Sequence, residues 1–290
     1  MDTISVIILA CNKSEYTKRT LDGLLHTKLS PSTSFEFILV DNGSTDNTPS
    51  VLNDFKTAAN VLNWQVVVLR QSENIGAIAG RNLALSEASG EYIVFMDNDI
   101  VVGRRSWAER LKQVLCDDHS IGIVGPKILY AAPPHFIQSA GCEIDNHGRV
   151  HFRCRGLPHD AGEASDSQDV QALISAAWMM RRSMASELGE LDMLYHPVQF
   201  EDIDYCYRAR SSGWRVVYDP SVWCYHFENT TTGSIPGKTY SWLTVKNGKK
   251  FKEKWSLMIE SEKKPEDRNF IWQHIDSVPF ESIGELEMVE

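Results

Sequence analysis

Apolar residues run along this chain in short continuous blocks separated by stretches of helical period. Ile4-Ser-Val-Ile-Ile-Leu9 is rich in β-branched residues on consecutive positions, as a strand buried on both faces of a parallel sheet requires. A helix is predicted next, with Ser14 as its N-cap and periodic apolar positions from Tyr16 to Leu25, and Phe35 to Val40 reads as the second strand. The alternation continues with a helix over 48–59, a strand over 65–69, a helix over 78–88 and a strand over 92–96. Repeated βα units with right-handed crossovers predict an α/β fold: a doubly wound, Rossmann-like, mostly parallel sheet that meets ligands at the carboxyl ends of its strands.

The rhythm changes after about Gly103. A helix is predicted over 107–115, a strand over 121–124, a hairpin-like stretch over 138–156, a polar loop over 157–169 and a buried strand over 170–180. A helix over 201–210 precedes strands at 215–218 and 222–225, and the more polar tail from Ile235 reads as helical segments draped on the domain. This divides the chain into a domain over 1–234, with a change of rhythm between 1–103 and 104–234, and a C-terminal extension over 235–290.

Composition narrows the partners. With 290 residues and 42% apolar content the chain can bury a core without staples. Lys plus Arg number 29 against 39 Asp plus Glu, a net charge of −10 that argues against a surface built to coat nucleic acid or anionic lipid. Six scattered cysteines without a CxxC pair fit a reducing, cytoplasmic setting. No window approaches the roughly 18 to 20 apolar residues of a membrane span, so any membrane contact, as at the inner face, is expected to be peripheral. Homo-oligomerisation stays open.

The candidate chemistry sits at strand ends. Asp41 opens Asp41-Asn-Gly-Ser-Thr-Asp46, where a carboxylate at the sheet edge can accept from a nucleobase or ribose, while Asp46 reads as a helix cap. Asp97 and Asp99 follow an apolar strand, and in extended backbone positions i and i+2 share a side. Two carboxylates converging there repel unless a divalent cation joins them, and oxygen ligands suit Mg²⁺ or Mn²⁺. Asn74-Ile-Gly76 and Gly80-Arg81-Asn82 bracket a helix start, where backbone amides and a guanidinium can meet a diphosphate, or where Arg81 is simply exposed. No GxGxxG follows the first strand, which disfavours a dinucleotide-dependent oxidoreductase.

Glu201-Asp202-Ile-Asp204 opens a helix. Successive helical residues lie about 100° apart, so Glu201 and Asp202 cannot both serve one reacting atom; Asp202 is favoured as base and Glu201 is its alternate. Asp204 and Arg208, spaced i, i+4, read as a surface pair. His226 ends an apolar strand and precedes a hydroxyl-rich stretch, Phe227 to Gly233, that reads as a lid ordered by ligand. A zinc site from Cys142, His147, His151 and Cys154 is disfavoured, because the spacing matches no common finger.

The ordered series Ser5-Val-Ile-Ile8 with Asn12, Val40 to Asp46, Glu73-Asn-Ile-Gly76, Gly90 to Asp99, Gly125-Pro126, Gln138-Ser-Ala-Gly141, Glu201 to Asp204, Gly213 to Tyr218 and Tyr225-His226 resembles the family 2 glycosyltransferases of the GT-A fold, most of all the rhamnosyltransferase-like members. The resemblance implies a single GT-A domain with a helical C-terminal extension. It implies inverting, non-processive transfer of one sugar from a UDP- or dTDP-sugar to a hydroxyl of a glycan, glycolipid or peptide. It places Ala10, Asp41, Asn74, Arg81, Asp97, Asn98 and Trp178 at the nucleotide sugar, with Asp41 on the base or ribose, Arg81 on the diphosphate, Asp97 on the ribose and Trp178 stacked on the sugar. Asp99, Asp97 and His226 would hold Mn²⁺ or Mg²⁺, and Asp202 would deprotonate the acceptor. Ala10 departs from the Pro or Thr usual before the first loop, and the QxxRW of processive synthases is absent. Rival readings are a nucleotidyltransferase making a sugar nucleotide, which would want a Gly-rich basic loop after the first strand, and a non-catalytic carbohydrate-binding protein, which would lose Asp99 or Asp202.

Overall fold

The computed structural model describes residues 2–227, 240–262 and 279–290. The predicted alternation is present in β1 (Asp2–Ala10), α1 (Ser14–Leu24), β2 (Thr33–Asn42), α2 (Thr48–Val61), β3 (Gln65–Gln71), α3 (Ala77–Glu87) and β4 (Tyr92–Asp97). There follow β5 (Ile100–Val102), α4 (Trp107–Asp117), β6 (Ile121–Tyr130), β7 (Ile137–Ser139), β8 (Cys142–Ile144), β9 (Val150–Phe152), β10 (Gln168–Asp169), β11 (Ala177–Arg181), α5 (Arg182–Leu188), α6 (Glu201–Ser211), β12 (Arg215–His226) and α7 (Tyr240–Ser261).

One mixed sheet runs β10-β12-β6-β11-β4-β1-β2-β3, with β5 beside β12 and β7 beside β6. β1 pairs in parallel with β2 on one side and β4 on the other, so the strand order reverses at the β1–β4 seam. There the two crossovers leave a crevice that their helices do not cover. β11 runs antiparallel between β4 and β6 and welds the first four strands to the rest. Alternation along β1 sends Ile4, Val6 and Ile8 into one layer with Leu21, Leu52 and Trp107, and Ile7 into the other with Ile78 and Ala84. Burying each such side chain contributes about 1.5–3 kcal/mol.

Several boundaries differ for identifiable reasons. Lys13, not Ser14, is the N-cap of α1, at φ 61°. The Ser14 amide donates instead to Asp46 Oδ2 at 2.9 Å, while Asp46 Oδ1 accepts from the Thr48 amide at 2.9 Å. One carboxylate therefore serves the starts of both α1 and α2, beyond the local cap the sequence suggested. The strand expected over 170–180 contracts to β11, because the Ser175 amide is drawn out of the ladder to Asp202 Oδ2, 3.1 Å away. The strands expected at 215–218 and 222–225 are one, β12, with a register shift between Asp219 and Trp223 around Pro220, which has no amide hydrogen to give a ladder.

The tail is helical at α7, as expected. Residues 279–290 return to the domain, where Val289 and Arg104 bridge in parallel. The lid predicted over 227–233 lies outside the described residues from 228 onward. Among the described residues no helix is long and apolar enough to cross a membrane.

Candidate active site

The seam between β1 and β4 gathers the predicted residues. Asp97 ends β4 opposite Leu9, and Ala10 ends β1 opposite Asp41 of β2, so three strands deliver their carboxyl ends to one edge. The methyl of Ala10 is buried. Asp41 is also buried, with Oδ1 accepting from the Ser44 amide at 2.9 Å and Oδ2 from Arg70 Nε at 3.2 Å. Sequence reasoning passed over Arg70; its register opposite Asp41 becomes visible only when β2 and β3 are paired. Asn74 builds the next loop, taking the Gly76 amide at 2.9 Å and Asn42 Nδ2 at 3.0 Å on its carbonyl oxygen.

β4 ends at Asp97, and Asn98-Asp99 form a turn rather than the extended backbone expected. Asp97 and Asp99 share a side with His226, and the three offer ligand atoms within 4.8 Å of one another, the trio of this kind among the described residues. His226 Nε2 lies 3.3 Å from Asp99 Oδ1 and 4.0 Å from Asp97 Oδ2. Ligands about 2.1 Å from one octahedral ion stand ~3 to ~4.2 Å apart, so both separations fit a divalent cation. His226 Nδ1 faces the carbonyl oxygen of buried Gln138 at 2.8 Å. A carbonyl only accepts, so Nδ1 carries the proton and Nε2 is presented to the carboxylates, the orientation a metal-ligating imidazole needs. Gln138 was legible only as part of a motif, without a role.

Asn98, which the resemblance put at the nucleotide sugar, is buried. Its side chain turns away and donates to Thr17 Oγ1 at 2.8 Å, while its carbonyl accepts from Thr20 Oγ1 at 2.9 Å, tying the turn to α1. Trp178 is fully buried in β11 between Phe95 and Tyr205, ring centroids 6.1 and 6.4 Å away.

Arg81 is placed differently from the expectation. Its guanidinium is buried, with Nη1 donating to Ser175 Oγ at 2.7 Å and Glu201 Oε1 at 3.2 Å, and Nη2 to Asp97 Oδ1 at 2.6 Å. Carboxylates from β4 and α6 approach one another here with the cation between them. Glu201 and Asp202 diverge as helical geometry requires. Glu201 is buried on Arg81, whereas the less buried Asp202 takes the amides of Ser175 and Ile203, the latter at 2.8 Å. Burial, and then the neighbouring Asp202 charge, raise Glu201 to about 7 against the pull of Arg81. Burial likewise lifts Asp202 above the ordinary aspartate range, although its amide donors and Arg81 oppose the shift.

The Asp204–Arg208 pair does not form. Asp204 is fully buried and accepts from Tyr195 Oη at 2.9 Å, Trp255 Nε1 at 2.7 Å and Lys254 Nζ at 2.8 Å. Arg208 instead donates to the carbonyls of Leu188 and Glu190. The cysteine and histidine residues of the weighed zinc pattern do not gather either: His151 Nε2 pairs with Asp145 at 3.0 Å and Cys142 is buried in β8.

The model of glycosyl transferase family 2 matches residues 5–189. A pre-mycofactocin glycosyltransferase of Mycobacterium tuberculosis is 26% identical over 231 residues, covering 78% of this chain and 43% of that protein. An uncharacterized protein of Sinorhizobium fredii is 25% identical over 244 residues, covering 79% of this chain and 25% of its own length. The chain thus spans less than half the length of these curated relatives. Among solved structures, GalNAc-T7 with UDP, GalNAc and Mn²⁺ superposes with a TM-score of 0.70 at 17% identity, covering 90% of this chain and 50% of that one. A mannosyltransferase of Pyrobaculum calidifontis in complex with GDP-Man and Mn²⁺ gives 0.59 at 17% identity, covering 90% and 65%. The fold is GT-A, as the resemblance implied, and the chain belongs to glycosyl transferase family 2.

Proposed function

We propose that this protein transfers a single sugar, with inversion and without processivity, from a nucleoside-diphosphate sugar to a hydroxyl of a glycan, glycolipid or peptide. The observation that carries this reading is the meeting, at the β1–β4 seam, of the Asp97, Asp99 and His226 trio with the buried Arg81 to Glu201 link that leads to Asp202. Asp99, His226 and the outer oxygen of Asp97 would hold Mn²⁺ or Mg²⁺, which when bound supplies positive charge for the departing diphosphate. Asp41 holds the base or ribose, and Asp97 shares the ribose. Asp202, more open than Glu201 and steadied by two amides, takes the proton of the acceptor hydroxyl. Residues 1–103 serve the nucleotide, 104–234 the acceptor, and 235–290 extend the domain.

UDP- and dTDP-sugars of the rhamnosyltransferase-like class are the donors favoured by the motif series. The relatives' names and the nucleotide sugars in the superposed structures support a sugar donor in general. The test is incubation with a panel of UDP-, dTDP- and GDP-sugars and Mn²⁺, with mass spectrometry of products and an EDTA control. Metal-dependent transfer or donor hydrolysis is expected. No turnover of any donor, together with no binding of a nucleoside diphosphate, would sink the proposal.

A further inference from the structure

The turn that launches α6 is held in a costly shape from outside the family-matched region. Gln199 and Phe200, neither a glycine, stand at φ 85° and 74°, immediately before Glu201. Side chains disfavour this left-handed region, so two such residues in succession persist only where neighbours hold them. The turn reverses the chain so that the Phe200 carbonyl receives the Asp204 amide at 2.9 Å, and α6 begins with Glu201 on Arg81 and Asp202 on the Ser175 amide.

What holds the turn is Asn247 of α7, a fully buried side chain. Its Nδ2 donates to the carbonyls of Tyr195 at 2.7 Å, Val198 at 3.0 Å and Gln199 at 3.1 Å. Two N–H groups among three carbonyls gather the whole approach to the acid pair onto one amide nitrogen. The adjacent Gly248 leaves room for the Phe200 ring, since a Cβ there would stand 3.1 Å from its Cζ. The opposite side of the same segment meets α3: the Pro197 carbonyl accepts from the Ile78 amide at 3.3 Å, and a Cβ on Gly76 would stand 2.8 Å from His196 Cε1. The segment is thus clasped between the helix that carries Arg81 and the tail.

We propose that Asn247 is a positioning residue for the Glu201–Asp202 pair, acting through the left-handed Gln199–Phe200 turn, so that α7 forms part of the catalytic apparatus. The inference rests on the transferase reading above. Asn247→Ala releases three carbonyls and lets the turn relax, and a small displacement of an acid or base costs about 10- to 100-fold in rate. The expected result is a kcat lowered by about that factor, with the donor KM changed less, because Asp99 and Asp41 stay in place and the clamp reaches Asp97 only through Glu201 and Arg81.

Gln199→Gly separates positioning from mere folding. Glycine adopts positive φ without a Cβ penalty, so the double variant Asn247→Ala/Gln199→Gly should regain most of the lost kcat. A kcat unchanged by Asn247→Ala, or a loss that Gln199→Gly does not restore in folded protein, would overturn the proposal. If Asn247→Ala does not accumulate folded, the isosteric Asn247→Asp, which sets a carboxylate against the three carbonyls, is read in the same way. Amide hydrogen exchange over 199–204 follows the clamp without turnover: faster exchange in the variant is expected, and unchanged exchange counts against it. An inactive wild-type protein whose variant still shows faster exchange would refute the transferase reading and leave the clamp standing.

Discussion

Arg81 and Glu201, 120 residues apart in sequence, meet at 3.2 Å with their side chains 9% and 4% exposed. Through this contact the helix after β3 and the helix before β12 share one cation, which also holds Asp97 at the end of β4.

Replacing Arg81 with Met should therefore cost more than an exposed ion pair would. Removing one partner of a buried pair leaves an uncompensated charge, a loss of about 3–5 kcal/mol. Thermal denaturation should show a large fall in Tm, and pairing the change with Glu201→Gln should recover part of it. An unaltered Tm in Arg81→Met would contradict the burial described for this link.

Asp202→Asn should abolish turnover while nucleoside diphosphate still binds, as measured by calorimetry. Because burial raises Asp202 above the aspartate reference of 3.8, the wild-type kcat should fall on the acid side at a pH above that value. Glu201 is raised to about 7, and its ionised form is disfavoured in the folded state. Its stabilising contribution is complete below the unfolded value of 4.5 and is lost as pH rises through about 7. Glu201→Gln should retain turnover and lessen the decline in stability toward alkaline pH; if it is as inactive as Asp202→Asn, the two roles must be exchanged.

Glu36 titrates with the opposite sign. Burial works against its ionised form, yet donors from Ser5, Ser89 and the Gly90 region hold its carboxyl below the usual glutamate range. The Ser89 amide and hydroxyl reach it at 2.9 and 2.8 Å. This contribution is present above 4.5 and disappears as pH falls through the lower folded value. Glu36→Gln should cost about 1–3 kcal/mol at neutral pH and flatten the acid limb of the stability curve, as read by urea denaturation at stepped pH.

Asp204→Ala should loosen the tail. The substitution strands the Tyr195 hydroxyl and the Trp255 indole N–H and leaves Lys254 with Asp192 alone, a loss of about 1–3 kcal/mol for each stranded donor, with proteolysis of α7 outpacing that of the sheet. Equal protection of α7 in both proteins would count against its docking on Asp204.

The fold was legible where chemistry is local. β-branched runs and helical period located β1 to β4 with the intervening helices: β1, β2 and β4 are buried runs, and the half-exposed edge strand β3 is marked by its consecutive valines. The convergence of Asp97 and Asp99 was anticipated from strand alternation, although a turn rather than a strand brings the two carboxylates together. What escaped depended on distant partners. Arg81 looked like a residue waiting for phosphate because its sequence neighbours do not include Glu201 or Ser175, and Asp204 looked exposed because Lys254 and Trp255 lie about fifty residues on. For Trp178 the buried strand over 170–180 was legible, but the antiparallel insertion of that strand between β4 and β6 was not, because βα periodicity carries no signal for it.

The hold of Gln138 on His226 bears on how quickly the site can be charged. An imidazole able to spin about its χ angles must be caught in one orientation each time a cation arrives. Here the ring is already anchored by a buried amide from β7, so the search among rotamers is completed during folding. On the proposed reading, loading the corner would then be a matter of the ion shedding water rather than of the chain rearranging.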